Sequence, residues 1–196
     1  GTITFTGDFD VTGAFSNPLG SSLSVSFTGD GTQIDPNAEF NTTGTVTIGD
    51  NSTDTLTFGG GFTHTAGNTA LNGTLATTSD NVTIDTLVLG GASVIDTDVG
   101  GGNITISGAI TNAAPLTLTL TAGAGNIETN GTIGTTATPL GAITITAAND
   151  LTFSGAVDAL SLAQTNGSGT TTFEDAVRIT GADGIDIVAT NITLDG

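Results

Sequence analysis

The chain of 196 residues has no cysteine, methionine, tryptophan, tyrosine or lysine, and Arg178 is its only strong base. Without cysteine there is no disulfide and no thiolate chemistry. One base against 19 acids leaves a net charge of −18. That excludes nucleic-acid binding by phosphate neutralisation and attraction to anionic lipid by a polybasic segment. No apolar run approaches the ~20 residues of a membrane-spanning helix, so membrane insertion is not expected. An acidic surface of this kind also keeps copies apart. The chain opens on GTITF, already alternating, which reads as a processed chain or an excerpt of a longer one.

Helix formers in periodic order are also missing. Thr, Gly, Asn and Asp are abundant instead, and all are mediocre or poor inside helices. What is present is alternation with period two: LSVSF at 23–27, TVTI at 45–48, VTIDTLVL at 82–89, LTLTLT at 116–121 and AITIT at 142–146. Each run lasts a few residues and ends in Gly, Asn or Asp. This is the pattern of short strands with one buried and one wet face, separated by turns. TTFEDAVR at 171–178 is the only candidate for a helical turn, and its likeness to NITISGAI at 103–110 argues for strand.

The runs keep a register. Val82, Ile104, Ile127, Leu151, Thr171 and Ile192 are equivalent, at intervals of 22, 23, 24, 20 and 21 residues. Asn81, Asn103, Asn126 and Asn191 directly precede four of them, and Ile84, Ile106, Thr129, Phe153, Phe173 and Leu194 follow two residues later. A helix-free unit of twenty-odd residues must bury its apolar face on its neighbours. Stacked coils of a parallel β-solenoid do this. The expected architecture is therefore all-β, a right-handed parallel β-helix of about nine coils. It forms one segment over 1–196, with less regular coils at 1–80 and regular ones at 81–196. A β-sandwich is the alternative, but it gives no reason for a register held over five intervals.

That register assigns the faces. Ile104, Ile106, Leu118, Ile143, Ile145, Phe153, Phe173, Ile185 and Ile187 should point inward, with Thr105, Thr117, Thr119 and Thr144 outward. Pro18 and Pro36 suggest longer loops early in the chain. Asn at one corner of successive coils should ladder along the stack. Thr-x-Thr runs do not share one offset in every coil, so a flat Thr face matched to an ice lattice is not expected.

No residue constellation announces a reaction. Asp8/Asp10, Asp96/Asp98 and Asp183/Asp186 are paired carboxylates of the kind glycosidases use. Cleavage of acidic sugars also needs cationic partners, and only Arg178 is available. His64, flanked by threonines in FTHT, reads as an outward surface residue. DTDVGGGN at 96–103 and GDNSTD at 49–54 are oxygen-rich in the manner of calcium loops, yet their acids flank Gly and Asn and read first as turn residues. No catalytic, cofactor or metal ligand set is assigned, and calcium is the single cofactor the composition leaves open. Asn-x-Thr/Ser triplets at Asn41, Asn51, Asn72, Asn81, Asn103, Asn130, Asn166 and Asn191 follow from sheer abundance of Asn and Thr.

GGGNITISGAITNAAPLTLTLTAGAGNIETNGTIG (100–134) and GAITITAANDLTFSGAV (141–157) resemble secreted bacterial β-helix exoproteins. These are the filamentous-haemagglutinin-like proteins and the passengers with autotransporter-associated β-strand repeats. The resemblance covers roughly 41–196 and is one of style, Gly, Asn and Thr around alternating aliphatics. It implies a non-enzymatic, extracellular or cell-surface structural protein: an adhesin or a filament subunit. Its partners would be further coils, other copies stacked end to end, or surface glycans. The alternative is a carbohydrate-binding or carbohydrate-cleaving β-helix protein.

Overall fold

The structure, a computed structural model, describes residues 1–13, 15–17, 20–97 and 100–195. Pro18 and Asp98, which figured in the expectations above, lie outside the described residues. Among those described there is no helix; 20 strands join in one sheet, stacked as a β-solenoid of about 9 turns. Every strand pairing is parallel, which excludes the sandwich.

Each turn places three strand segments around a common core, so the rod has three faces. The first face carries the column Phe15, Ala38, Phe62, Val82, Ile104, Ile127, Leu151, Thr171 and Ile192. All five sequence-derived equivalences fall in it, and it runs three levels further towards the N-terminus. The second face carries Ile3, Val25, Val46, Thr69, Leu87, Ile110, Ile133, Val157 and Val177. The third runs through Leu56, Leu75, Ile95, Leu120, Ile145, Gln164 and Ile187. Residues 171–178 contain the end of the strand Thr170–Phe173 and the start of Val177–Ile187, so the helical-turn candidate is a strand pair.

Alternation does what the pattern asks. In Ile104–Ile106 the isoleucines are buried and Thr105 is partly exposed; Leu118–Thr121 repeats the arrangement. In the later turns the corners that follow the first face are drawn tight by glycine. A Cβ on Gly131 would lie 2.3 Å from the backbone of Gly108, and one on Gly155 would lie 2.4 Å from Gly131. That stack accounts for the Gly of NITISGAI and DLTFSGAV, because only a bare backbone lets successive corners approach so closely.

Buried polar side chains sit at the corners and tie them. Thr97 donates to the Gly102 carbonyl at 2.6 Å, Thr77 to that of Asp80 at 2.6 Å, and Ser93 to that of Leu71 at 2.9 Å. A buried hydroxyl satisfied in this way costs little, whereas an orphaned one costs about 1–3 kcal/mol.

Of the residues assigned inward, Ile104, Ile106, Leu118, Ile143, Ile145, Phe153 and Phe173 are buried and Ile187 is partly buried. Ile185 departs from expectation. It is in register with buried Leu162, yet 52% exposed. The strand is in its column, but no described layer lies beyond it.

Candidate functional surface

The outer side of the first face is the most ordered surface of the rod. Two residue rows run along it. One is Thr63, Thr83, Thr105, Glu128, Thr152, Thr172 and Thr193, in strict register. The row is single-file and Glu128 interrupts it, so it is not a flat face of Thr-x-Thr ranks. Beta-branched threonine suits an outward strand position without further reason.

The second row is the corner ladder. Asn81 Oδ1 accepts the Asn103 N–H at 2.8 Å, and Asn103 Oδ1 accepts the Asn126 N–H at 2.8 Å. Asn126 Oδ1 accepts the Asp150 N–H at 3.1 Å, and Asp150 Oδ1 accepts the Thr170 N–H at 2.8 Å. The ladder thus runs from side-chain oxygen to the next backbone N–H, with an amide–amide rung only from Asn149 Nδ2 to Asn126 Oδ1 at 3.0 Å. Asp fits the row because an acceptor oxygen is all that each rung requires. The two rows lie two residues apart in sequence. The triplets Asn81–Thr83, Asn103–Thr105 and Asn191–Thr193 are thereby products of the architecture.

Over the later turns this face forms a shallow polar groove of about 630 Å³, lined by Glu128, Asp150, Thr152, Ser154, Thr172 and Glu174 among others. No aromatic side chain lines it. The fully buried phenylalanines are Phe27, Phe40, Phe58, Phe62 and Phe153; Phe173 is nearly so, and Phe5, Phe9 and Phe15 pack against the core.

Among the described residues no carboxylate pair forms an enclosed acid–base site, and Asp98 lies outside them. Asp8 precedes the strand Asp10–Val11 and does not share it with Asp10, and both are exposed. Asp183 and Asp186 are exposed on the last turn, and Asp96 lies partly buried on the third face. Within GDNSTD, Asp54 Oδ2 accepts the N–H groups of Asp50 at 2.9 Å and Asn51 at 3.0 Å, so its carboxylate closes its own turn. Among the described residues no group of three acidic, His or Cys side chains could hold a metal ion. Arg178 is spent on Asp158 one turn below, at 3.0 Å.

His64 corrects the surface reading. It is fully buried, at the inward position filled by Ile84 on the next turn. Its Nδ1 lies 2.9 Å from Thr69 Oγ1 and its Nε2 lies 3.1 Å from the Thr42 carbonyl oxygen. Since a carbonyl only accepts, Nε2 carries the proton and the Thr69 hydroxyl donates to Nδ1. Burial holds the imidazole below its ordinary pKa, against the raising effects of the backbone contacts and the Asp85 carboxylate.

No protein-family model matches the chain, and no curated protein or solved structure matches it.

Proposed function

We propose that this chain is a non-enzymatic structural protein, a β-solenoid rod that serves at the cell surface or outside the cell as an adhesin or filament segment. One observation carries the reading. Among the described residues the apolar and aromatic side chains fill continuous internal columns, while the outer side of the first face carries continuous Thr and Asn rows. The resemblance to secreted bacterial β-helix exoproteins agrees with it.

We further propose end-to-end assembly, supported by exposed apolar residues on the first and last described turns. Ile3, Ile185, Val188, Ile192 and Leu194 are exposed, Leu194 at 75%. Unpaired strand edges beside such residues accept a further coil, of the same polypeptide or of another copy. Copies that add head to tail without closing form an open filament. At about 5 Å in water two like charges repel by only about 1 kcal/mol, so the charge of −18 opposes lateral clumping more than axial pairing.

Electron microscopy and light scattering over a concentration series test the assembly. Rods whose length grows in steps of roughly 40 Å, about nine strand spacings, are expected. Particles that stay single at high concentration, with the terminal strands protected from exchange, would count against it.

The groove on the first face supports a second reading, a surface that binds neutral or amino-bearing glycans through hydroxyl, amide and carboxylate groups. Titration with such oligosaccharides, with Glu128→Gln and Glu174→Gln as controls, separates it from a bare scaffold.

A further inference from the structure

Nearly every inward position of the first two faces is aliphatic, phenylalanine or a corner-tying hydroxyl. His64 is the exception. Its ring meets that of Phe40 edge-on, at 6.4 Å between centroids, and stands in register with Ile84 of the next turn. It spans the corner between the first and second faces through Thr69, and it reaches the turn below through Thr42. Thr69 likewise stands in a column otherwise filled by Val46, Leu87 and Ile110. Thr42 holds the neighbouring corner, donating to the Ser21 carbonyl at 2.9 Å and accepting the Gly44 N–H at 3.0 Å. Two polar residues in apolar columns, bonded to each other and tied through His64 to the Thr42 carbonyl, make one joint across two turns.

We propose that His64 is an acid-sensitive joint: uptake of a single proton inside the core loosens the corner at residues 64–69 and its anchor at Thr42, while the turns on either side stay closed. The ionisable groups around it are few. Asp85, half-buried on the turn above, draws the proton towards the ring and also approaches the Gly67 N–H at 3.4 Å. Glu39 below and Asp80 above are exposed and face solvent.

The sign follows from linkage. The imidazole of the unfolded chain takes its proton near pH 6.5, and the folded one takes it only at lower pH. Stability contributed at this joint is complete above about pH 6.5 and is lost as pH falls, levelling off below the folded value. At pH 4.5, two pH units below the free value, the loss at the joint has a ceiling of about 100-fold in the opening equilibrium.

The chain has one histidine, so its imidazole resonances need no assignment. An NMR titration of the intact protein from pH 8 to 4 should give a midpoint below 6.5 and an Nε2–H tautomer at the start. Protection factors from amide exchange, corrected for intrinsic rates, should fall at residues 40–48 and 62–71 by about threefold to 100-fold at pH 4.5. Residues 140–164 should not follow. His64→Leu combined with Thr69→Val, which restores the apolar columns, should hold protection constant across the same range. A midpoint at or above 6.5, or equal loss in both regions, would overturn the proposal. The titration decides on the native chain even if the double variant does not fold.

Discussion

The first turns and the later ones build the same three faces from different material. Seven of the nine phenylalanines precede residue 63, and they interlock: Phe27 lies within 5.1–6.3 Å of the rings of Phe5, Phe9, Phe15, Phe40 and Phe58. The later turns are filled mainly by Ile, Leu and Val, with one ring pair, Phe153 and Phe173, stacked at 5.3 Å. Strands differ accordingly. On the first face the early strands Phe15–Ser16 and Ala38–Glu39 have 2 residues each, against 3 in Ile104–Ile106 and Leu151–Phe153. A large ring covers the area of more than one aliphatic, so fewer residues need to stay in regular strand. Structural columns can thus persist where the sequence repeat fades.

The largest test of this contrast is truncation of its rings. Phe27→Ala and Phe153→Ala should each cost about 3–5 kcal/mol in denaturant unfolding. Phe27 should lie at the upper end, because five rings lose a partner there and one does so at Phe153. Coils contact only their neighbours, so exchange should show the loss concentrated in adjacent turns. Equal, chain-wide loss would mean the two regions unfold as one cooperative block.

A second contrast sets an interior turn against the last. Leu162 and Ile185 are register partners, one buried and one 52% exposed. Leu162→Ala should cost about 2–5 kcal/mol, and Ile185→Ala less than about 1 kcal/mol, since little apolar area is removed from a protected site. If Ile185→Ala becomes costly at high protein concentration, a second copy covers that end in solution. That outcome strengthens the filament reading; a small, concentration-independent effect weakens it.

The register from residue 81 onward was legible because two signals coincide there, the corner Asn and the alternation that follows it. Even the irregular intervals are correct, since loops between strands absorb the extra residues without shifting the column. Residues 1–80 gave a weaker signal, as the first-face column there mixes Phe15, Ala38 and Phe62 in place of the aliphatics that mark it later. His64 was misread for a local reason: FTHT looks wet, and nothing nearby in sequence reveals that Thr42, 22 residues earlier, supplies its second partner. Ile185 shares its register with buried Leu162, but its exposure depends on what stacks beyond it, a property no local pattern encodes. The outer groove collects Glu128, Asp150 and Glu174 from three turns, and such convergence is visible only once the turns are aligned.

A smaller effect separates the ladder from mere Asn abundance. Asn103→Ala strips the acceptor from the Asn126 N–H and should cost about 0.5–1.5 kcal/mol. Asn103→Asp keeps an oxygen there and should be milder, as Asp150 demonstrates two rungs further on. Equal costs for both variants would show that the amide hydrogens matter after all, through neighbours such as the Asn149 rung.

The smallest effect is expected at the only cation. Arg178 and Asp158 are partners on adjacent turns of the second face, with side chains 47% and 17% exposed. Their Coulomb energy is diluted by water, and holding the long arginine chain costs side-chain entropy. Arg178→Ala should therefore destabilise by no more than about 0.2–1 kcal/mol at low salt. Removing the only strong base also makes an already acidic rod more so, which adds a diffuse penalty of the same sign. Salt separates the two regions of the argument: at about 1 M the screening length shrinks to about 3 Å, so both terms should shrink together. The phenylalanine and leucine variants should keep their full deficits under the same conditions, because burial of apolar area is not screened. A cost at Arg178 that survives high salt would point instead to the packing of its aliphatic stem on the second face.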